Sequence, residues 1–165
     1  MLSFHYSLRP IITTMKSQLN ACLLFERKYI LYTKRTYSEK ETLESTMVDP
    51  KRVVSYDDML KIIYQPEKMI IDVREPEEIQ STGQIPSSIN IPLKSVHEAL
   101  DCMSEEDFRC LYCREKPALS DELIFYCKTG RRSTIALNQA LKLGYVNSKN
   151  YLGSWTEWSK KSKLH

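Results

Sequence analysis

Residues 122–133 read Glu-Leu-Ile-Phe-Tyr-Cys-Lys-Thr-Gly-Arg-Arg-Ser, and this stretch decides the fold. Glu122 to Tyr126 is the clearest strand of the chain, a short apolar and aromatic run. Ser133 to Leu143 follows as a helix. Ile135, Ala136, Ala140 and Leu141 form its inward face, and Gly144 is well placed at its C-terminal cap. A polar, glycine-containing loop, Cys127 to Arg132, joins the two. Strand, loop and helix in that order form half of a parallel crossover unit.

The same alternation extends outward. Ser55 caps a helix whose apolar face is Met59, Leu60 and Ile63, with Asp58 as the acid of a capping box. Lys68 to Val73 is a strand with the continuous apolar run expected when both faces are covered. Glu75 to Ser81 is a short acidic helix that tolerates Pro76 in its first turn and ends at Gly83. Ile89 to Ile91 is a strand stopped by Pro92. Ser95 to Leu100 and Ser104 to Tyr112 read as helices, broken by Lys116-Pro117. Lys149 to Leu152 is a last strand, and Gly153 leads to a terminal turn with Trp155 and Trp158. No internal repeat is visible. Strands alternating with helices define an α/β fold with a mainly parallel sheet.

Composition narrows the function classes. The chain has 165 residues, 42% hydrophobic and 27% charged, with a net charge of +3. No uninterrupted apolar run exceeds five residues, against the ~20 that a membrane-spanning helix needs. The net charge is too small to argue for nucleic acid. It is also unevenly placed. Residues 1–38 carry six basic side chains (Arg9, Lys16, Arg27, Lys28, Lys34, Arg35) and one acid, Glu26, for a net of +5. The remainder holds 18 basic and 20 acidic side chains, a net of −2. A Ser/Thr-rich, acid-poor, Arg/Lys-spaced segment is the composition of a mitochondrial transit peptide. Ser17 to Tyr32 could form its amphipathic helix, and Arg35-Thr36-Tyr37-Ser38 resembles a cleavage context. The expected location is the mitochondrial matrix, or the cytosol if translation starts at Met47. Residues 39–51 read as a polar linker, residues 52–160 as the folded domain and 161–165 as a tail. No exposed apolar stripe or heptad pattern points beyond a monomer.

Five cysteines are present: Cys22, Cys102, Cys110, Cys113 and Cys127. An odd number argues against a disulfide framework. Cys110 and Cys113 have the spacing of half a zinc site, but no second pair completes it, so no metal is expected. Cys127 stands apart. It lies at the carboxyl end of the strongest strand, where open parallel sheets bind ligands. The following helix N-terminus and the loop amides favour its thiolate. Gly130 allows the loop to curl, and Lys128, Arg131 and Arg132 add positive charge. Together Cys127, Lys128, Thr129, Gly130, Arg131, Arg132 and Ser133 predict an anion-binding cup around a reactive sulfur. A phosphate-cradling cysteine loop places Arg after five intervening residues. Here Arg132 follows after four, and Ser133 takes the next position. The tighter loop suits an outer sulfur carried on Cys127 as a persulfide, a covalent intermediate needing no cofactor. Outside the basic segment the histidines are His97 and His165, which weighs against a Cys–His hydrolase.

These stretches resemble the single-domain rhodaneses, of the thiosulfate:glutathione sulfurtransferase-like group. The matching segments are Asp72-Val73-Arg74-Glu75-Pro76-Glu77-Glu78, Gly83 to Pro86 with Asn90 to Leu93, Cys127 to Ser133, and Gly144-Tyr145 with Leu152 to Trp158. The stretch Phe108 to Tyr112 with Lys116-Pro117 is similar to the small-thiol-acceptor subgroup. The resemblance implies a central, mainly parallel, five-stranded sheet flanked by helices on both faces. It makes Cys127 the persulfide-forming nucleophile, residues 128–133 the substrate cup, and Asp72 and Arg74 structural supports. It also implies glutathione or another small thiol as acceptor, while the local cations favour an anionic donor such as thiosulfate. Gln84 stands where the family often has His, Ser87-Ser88 where it often has Gly-Ala, and Ser154 where it has a second Gly. The alternatives are a Cys phosphatase or arsenate reductase of similar fold, and a non-catalytic module of the same family.

Overall fold

The computed structural model describes residues 48–162. The transit-like segment and most of the linker lie outside the described residues. A 3-10 turn at Pro50–Arg52 precedes helix α1 (Tyr56–Ile62). Strand β1 (Met69–Asp72), helix α2 (Pro76–Thr82) and strand β2 (Ser88–Asn90) follow. A 3-10 turn (Leu93–Ser95) and a π turn (Glu98–Cys102) lead to helix α3 (Glu105–Tyr112). The chain ends with strand β3 (Leu123–Tyr126), helix α4 (Arg131–Lys142), strand β4 (Lys149–Asn150) and helix α5 (Ser154–Lys161).

The strand order is β2-β1-β3-β4, and every pairing is parallel. The chain moves from β1 outward to β2, then returns to the other side of β1 as β3. The direction of winding therefore reverses between β1 and β3, and a crevice forms at their carboxyl ends. Asp72 and Cys127 stand at those two ends.

Among the described residues the sheet has four strands rather than the expected five. Val53 makes one isolated parallel bridge to Asn150, beyond the β4 edge. The 3-10 turn before it and the Ser55-capped helix after it leave too little extended chain for a ladder. Ser55 and Asp58 do form the anticipated capping box.

β1 and β3 are buried along their whole length. One core cluster joins Ile70, Ile124 and Tyr126 of the sheet to Met59, Ile62, Tyr151 and Trp158. Trp158 packs against Tyr56 with ring centroids 5.5 Å apart, as a core anchor. The inward face of α4 differs from expectation. Ser133, Thr134, Ala136, Leu137 and Ala140 are buried, while Ile135 and Leu141 are only half-buried. The helix starts at Arg131 rather than Ser133, so Ser133 and Thr134 lie in its first turn, where both hydroxyls donate to the Gly130 carbonyl of the Cys127 loop. The expected helix at Ser95 to Leu100 is replaced by the 3-10 and π turns.

Candidate active site

Cys127 is 1% exposed at the end of β3. The Gly130 amide donates to its sulfur at 3.1 Å, and the Ser133 hydroxyl lies 3.7 Å from it. Burial pushes the thiol up. The amides of Ser133, Thr129 and Gly130, with the Ser133 hydroxyl, more than offset this and leave Cys127 below its ordinary value. The N-terminus of the twelve-residue α4 adds its dipole to the same point.

Gly130 makes this curl possible. Its φ is +91°, and a Cβ there would lie 2.6 Å from the Leu152 carbonyl oxygen. Its own carbonyl accepts from the Thr134 amide at 3.1 Å, the Thr134 hydroxyl at 2.8 Å and the Ser133 hydroxyl at 3.0 Å. The far side of the loop is held by α5. The Trp155 amide donates to the Cys127 carbonyl at 2.9 Å, and the Thr156 amide and hydroxyl donate to the Lys128 carbonyl at 3.1 and 2.7 Å.

The three cations of the loop have different surroundings. Lys128 and Arg131 are exposed. Neither has an ion-pair partner among the described residues. Arg132 instead grips Glu78 of α2 with two hydrogen bonds, 2.5 and 2.8 Å. That grip, slightly opposed by burial, lowers the Glu78 carboxyl to about 2. Arg131 and Arg132 occupy the first turn of α4, which contains no acid. Cations at a helix N-terminus oppose its dipole by ~0.3–1 kcal/mol each. Glu78 relieves this for Arg132, and an anion in the cup would relieve it for Arg131. Thr129 is exposed at the rim, whereas Ser133 is buried beneath the sulfur.

Asp72 and Arg74 form a buried support. Arg74 is 1% exposed and donates to both Asp72 carboxylate oxygens through Nε at 3.0 Å and through Nη2 to Oδ2 at 2.6 Å. It also bonds the Thr82 hydroxyl at 2.9 Å and the Gly83 carbonyl at 2.8 Å. Its guanidinium lies 4.8 Å from the Trp155 ring centroid and 5.9 Å from that of Tyr126. Arg74 thus ties α2, β3 and α5 together beneath the cup, and Trp155 serves as its lid.

The two serines at the family's glycine positions adopt glycine-like backbones. Ser87 has φ 64° and Ser154 φ 53°. Each hydroxyl makes a bond that glycine cannot. Ser87 donates to the Ile63 carbonyl at 2.8 Å. Ser154 Oγ accepts from the Cys127 amide at 3.2 Å and donates to the Tyr151 carbonyl at 2.8 Å. Gln84 donates to the Ser88 carbonyl at 3.3 Å. Sequence reasoning missed Glu78 and Ser154 as parts of the site, whereas Trp155 was expected at the mouth of the pocket and stands against Arg74. Glu78 lay within the quoted acid–Arg motif, but its partner across 54 residues had no local signal.

A sulfur cradled by backbone amides at the switch point of a parallel sheet is an arrangement that stabilises a thiolate. The chain belongs to the Rhodanese-like domain family, whose profile matches residues 55–161. It is 44% identical over 105 residues to the mouse thiosulfate sulfurtransferase/rhodanese-like domain-containing protein 3, covering 64% of this chain and 66% of that one. It is 38% identical over 138 residues to a putative mitochondrial thiosulfate sulfurtransferase of Schizosaccharomyces pombe, covering 81% and 92%. A human thiosulfate:glutathione sulfurtransferase is 38% identical over 109 residues, covering 66% and 93%. Among solved structures, the human single-domain sulfurtransferase TSTD1 is similar with a TM-score of 0.62 at 37% identity, covering 67% and 96%.

Proposed function

We propose that the chain is a sulfurtransferase of the thiosulfate type in which Cys127 carries the transferred sulfur. The Cys127 thiolate attacks the outer sulfur of the donor. The donor's S–S bond breaks, and sulfite leaves with the electron pair. The persulfide terminus is held by the loop amides, as an oxyanion would be. An acceptor thiolate then takes the outer sulfur and returns Cys127 as the thiolate. The observation that carries this reading is the ring of amides around Cys127, which lowers the thiol despite its burial. Lys128 and Arg131 draw the anionic donor, Thr129 lines the rim, and Gly130 and Ser133 shape the floor. Arg132 positions the wall through Glu78, with Asp72 and Arg74 as support beneath.

The phosphatase reading is weaker on a specific ground. Arg132, the arginine nearest to that pattern, is engaged on both terminal nitrogens by Glu78. The human relative named for glutathione supports a small thiol as acceptor. The mitochondrial name of the fission-yeast relative, with the basic character of residues 1–38, supports import into mitochondria. Within that reading, residues 1–38 are the address, 39–51 the linker, 52–160 the catalytic domain and 161–165 a tail. The domain acts as a monomer with no cofactor.

The test is incubation of the purified chain with thiosulfate. A mass gain of one sulfur atom, absent in Cys127→Ser, is expected. No adduct and no cyanolysable sulfur would refute sulfur transfer. Cys127-dependent hydrolysis of an aryl phosphate would favour the phosphatase.

A further inference from the structure

Among the described residues, one group of metal-ligating side chains converges outside the cup. The ligand atoms of His97, Asp101 and Cys102 all lie within 4.8 Å of one another, and the three residues are exposed. We propose that this trio is a surface site for a zinc-class divalent ion, bound by imidazole nitrogen, carboxylate oxygen and thiolate sulfur.

The backbone explains why these residues meet. Glu98–Cys102 is a π turn, closed by the Met103 amide donating to the Glu98 carbonyl at 2.9 Å, five residues back. An α-helix advances about 100° per residue, so Asp101 would lie about 40° from His97 and Cys102 about 140° away. The wider π turn advances about 82° per residue, which places Asp101 and Cys102 about 30° and 50° to either side of His97. The extra residue in the turn thus converts a two-ligand spacing into a three-ligand face. π turns recur at functional sites.

The turn is anchored from within. Ala99, Leu100 and Met103 are buried. The Tyr145 hydroxyl donates to the Leu100 carbonyl at 3.1 Å. Lys116 Nζ donates to the carbonyls of Asp101 and Met103 at 3.3 and 2.7 Å. The ligands therefore stand on a fixed base, and binding needs side-chain rotation alone. A nitrogen, oxygen and sulfur set matches zinc-class ions, and three protein ligands leave a fourth position for water. Cys102 already hydrogen-bonds Asp101 at 3.7 Å. On binding, its proton leaves for solvent and the metal takes its place on sulfur. Cys110 and Cys113, despite their half-zinc-site spacing, are not part of this trio.

The test uses the full chain with Co²⁺ as a spectroscopic probe and Zn²⁺ as competitor. One equivalent of Co²⁺ should raise a thiolate-to-cobalt charge-transfer band that Zn²⁺ displaces. Cys102→Ser should abolish the band. His97→Ala should weaken binding by more than the about 10–100-fold that loss of an outer-shell partner costs. Zn²⁺ should slow iodoacetamide labelling of Cys102 without protecting Cys110 or Cys113. All three ligands are exposed, so both variants should melt like the parent. A band that persists in Cys102→Ser, unchanged affinity in His97→Ala, or no Zn²⁺ protection of Cys102 would overturn the site. Sulfur loading of Cys127 is read separately and does not depend on this outcome.

Discussion

Arg132 and Glu78 are joined by two hydrogen bonds, 2.5 and 2.8 Å long, from the first turn of α4 to α2. The pair sets how much positive charge the loop presents, because it neutralises one of its three cations, while Lys128 and Arg131 have no ion-pair partner among the described residues.

Removing Arg132 alone should therefore do more than remove one cation. Arg132→Ala leaves the Glu78 carboxylate without its cation beside the proposed donor cup. The apparent KM for thiosulfate should rise about tenfold, worth ~1.4 kcal/mol. Glu78→Gln in the same chain should recover part of that loss. The pair is about 30% exposed on both sides, so Arg132→Ala should cost only ~1 kcal/mol in urea unfolding. An unchanged KM, or a double variant no better than the single, would contradict this role.

The same pair predicts an acid-side signature. Glu78 falls from 4.5 to about 2 in the folded chain. A lowered carboxyl contributes stability that is complete above its unfolded value and is lost as pH falls toward its folded one. The stability gap between the parent and Glu78→Gln should thus be constant near neutrality. It should close as pH drops from 4.5 to about 2. A gap independent of pH would show that the carboxylate charge is not what the pair contributes.

Gly130→Ala should be among the most damaging small substitutions. The added methyl meets the Leu152 backbone oxygen at 2.6 Å, and φ is +91°. Backbone strain of this kind costs ~1–3 kcal/mol, and the clash adds to it. Urea midpoint and sulfur loading from thiosulfate should fall together. A variant that loads normally would mean that the curl around Cys127 tolerates opening.

Ser133→Ala removes the hydroxyl beside the sulfur and leaves the backbone amides in place. The Cys127 thiol should titrate higher, because one of the donors that favour its thiolate is lost. The pH midpoint of iodoacetamide labelling at Cys127 measures it. An unmoved midpoint would assign the Ser133 hydroxyl wholly to the Gly130 carbonyl, 3.0 Å away.

Ser154→Gly sets two effects against each other. Glycine relieves the left-handed backbone at φ 53° but leaves the buried Cys127 amide without its 3.2 Å acceptor. An unsatisfied buried amide costs ~1–3 kcal/mol, against about 1–2 kcal/mol for the left-handed backbone relieved, so a small net destabilisation is expected. Ser154→Ala keeps the strain and loses the bond, so it should be worse. A glycine variant more stable than the parent would show that strain dominates.

Much of this site was legible in a dozen residues. The strand, the glycine and the helix that follow one another from Leu123 to Lys142 interact over short range, so their residue types report their geometry directly. The thiol environment of Cys127 comes from the same segment, because its amide donors lie two to six residues along the chain. The inward face of α4 was less legible. Periodicity favoured Ile135 and Leu141, but Ser133 and Thr134 are buried, with their hydroxyls bonded to the Gly130 carbonyl, a tertiary feature that apolar spacing does not report. The fifth strand was inherited from the family pattern, and the short stretch between two turns reduced it to the Val53 bridge.

The amino-acid sequence by itself determined the alternation of strands and helices, the position of Cys127 at a strand end, and the amide-rich loop that makes its thiolate favourable. Only the tertiary structure decided which side chains meet across that loop. Arg132 found Glu78, the Cys127 amide found Ser154, and Gly130 came against Leu152. Likewise, only the π turn brought Cys102 round beside His97 and Asp101. The reason is physical. Repeating hydrophobic spacing encodes which face of an element is buried, whereas contacts between loops depend on where the sheet reverses its winding and on how each turn is wound.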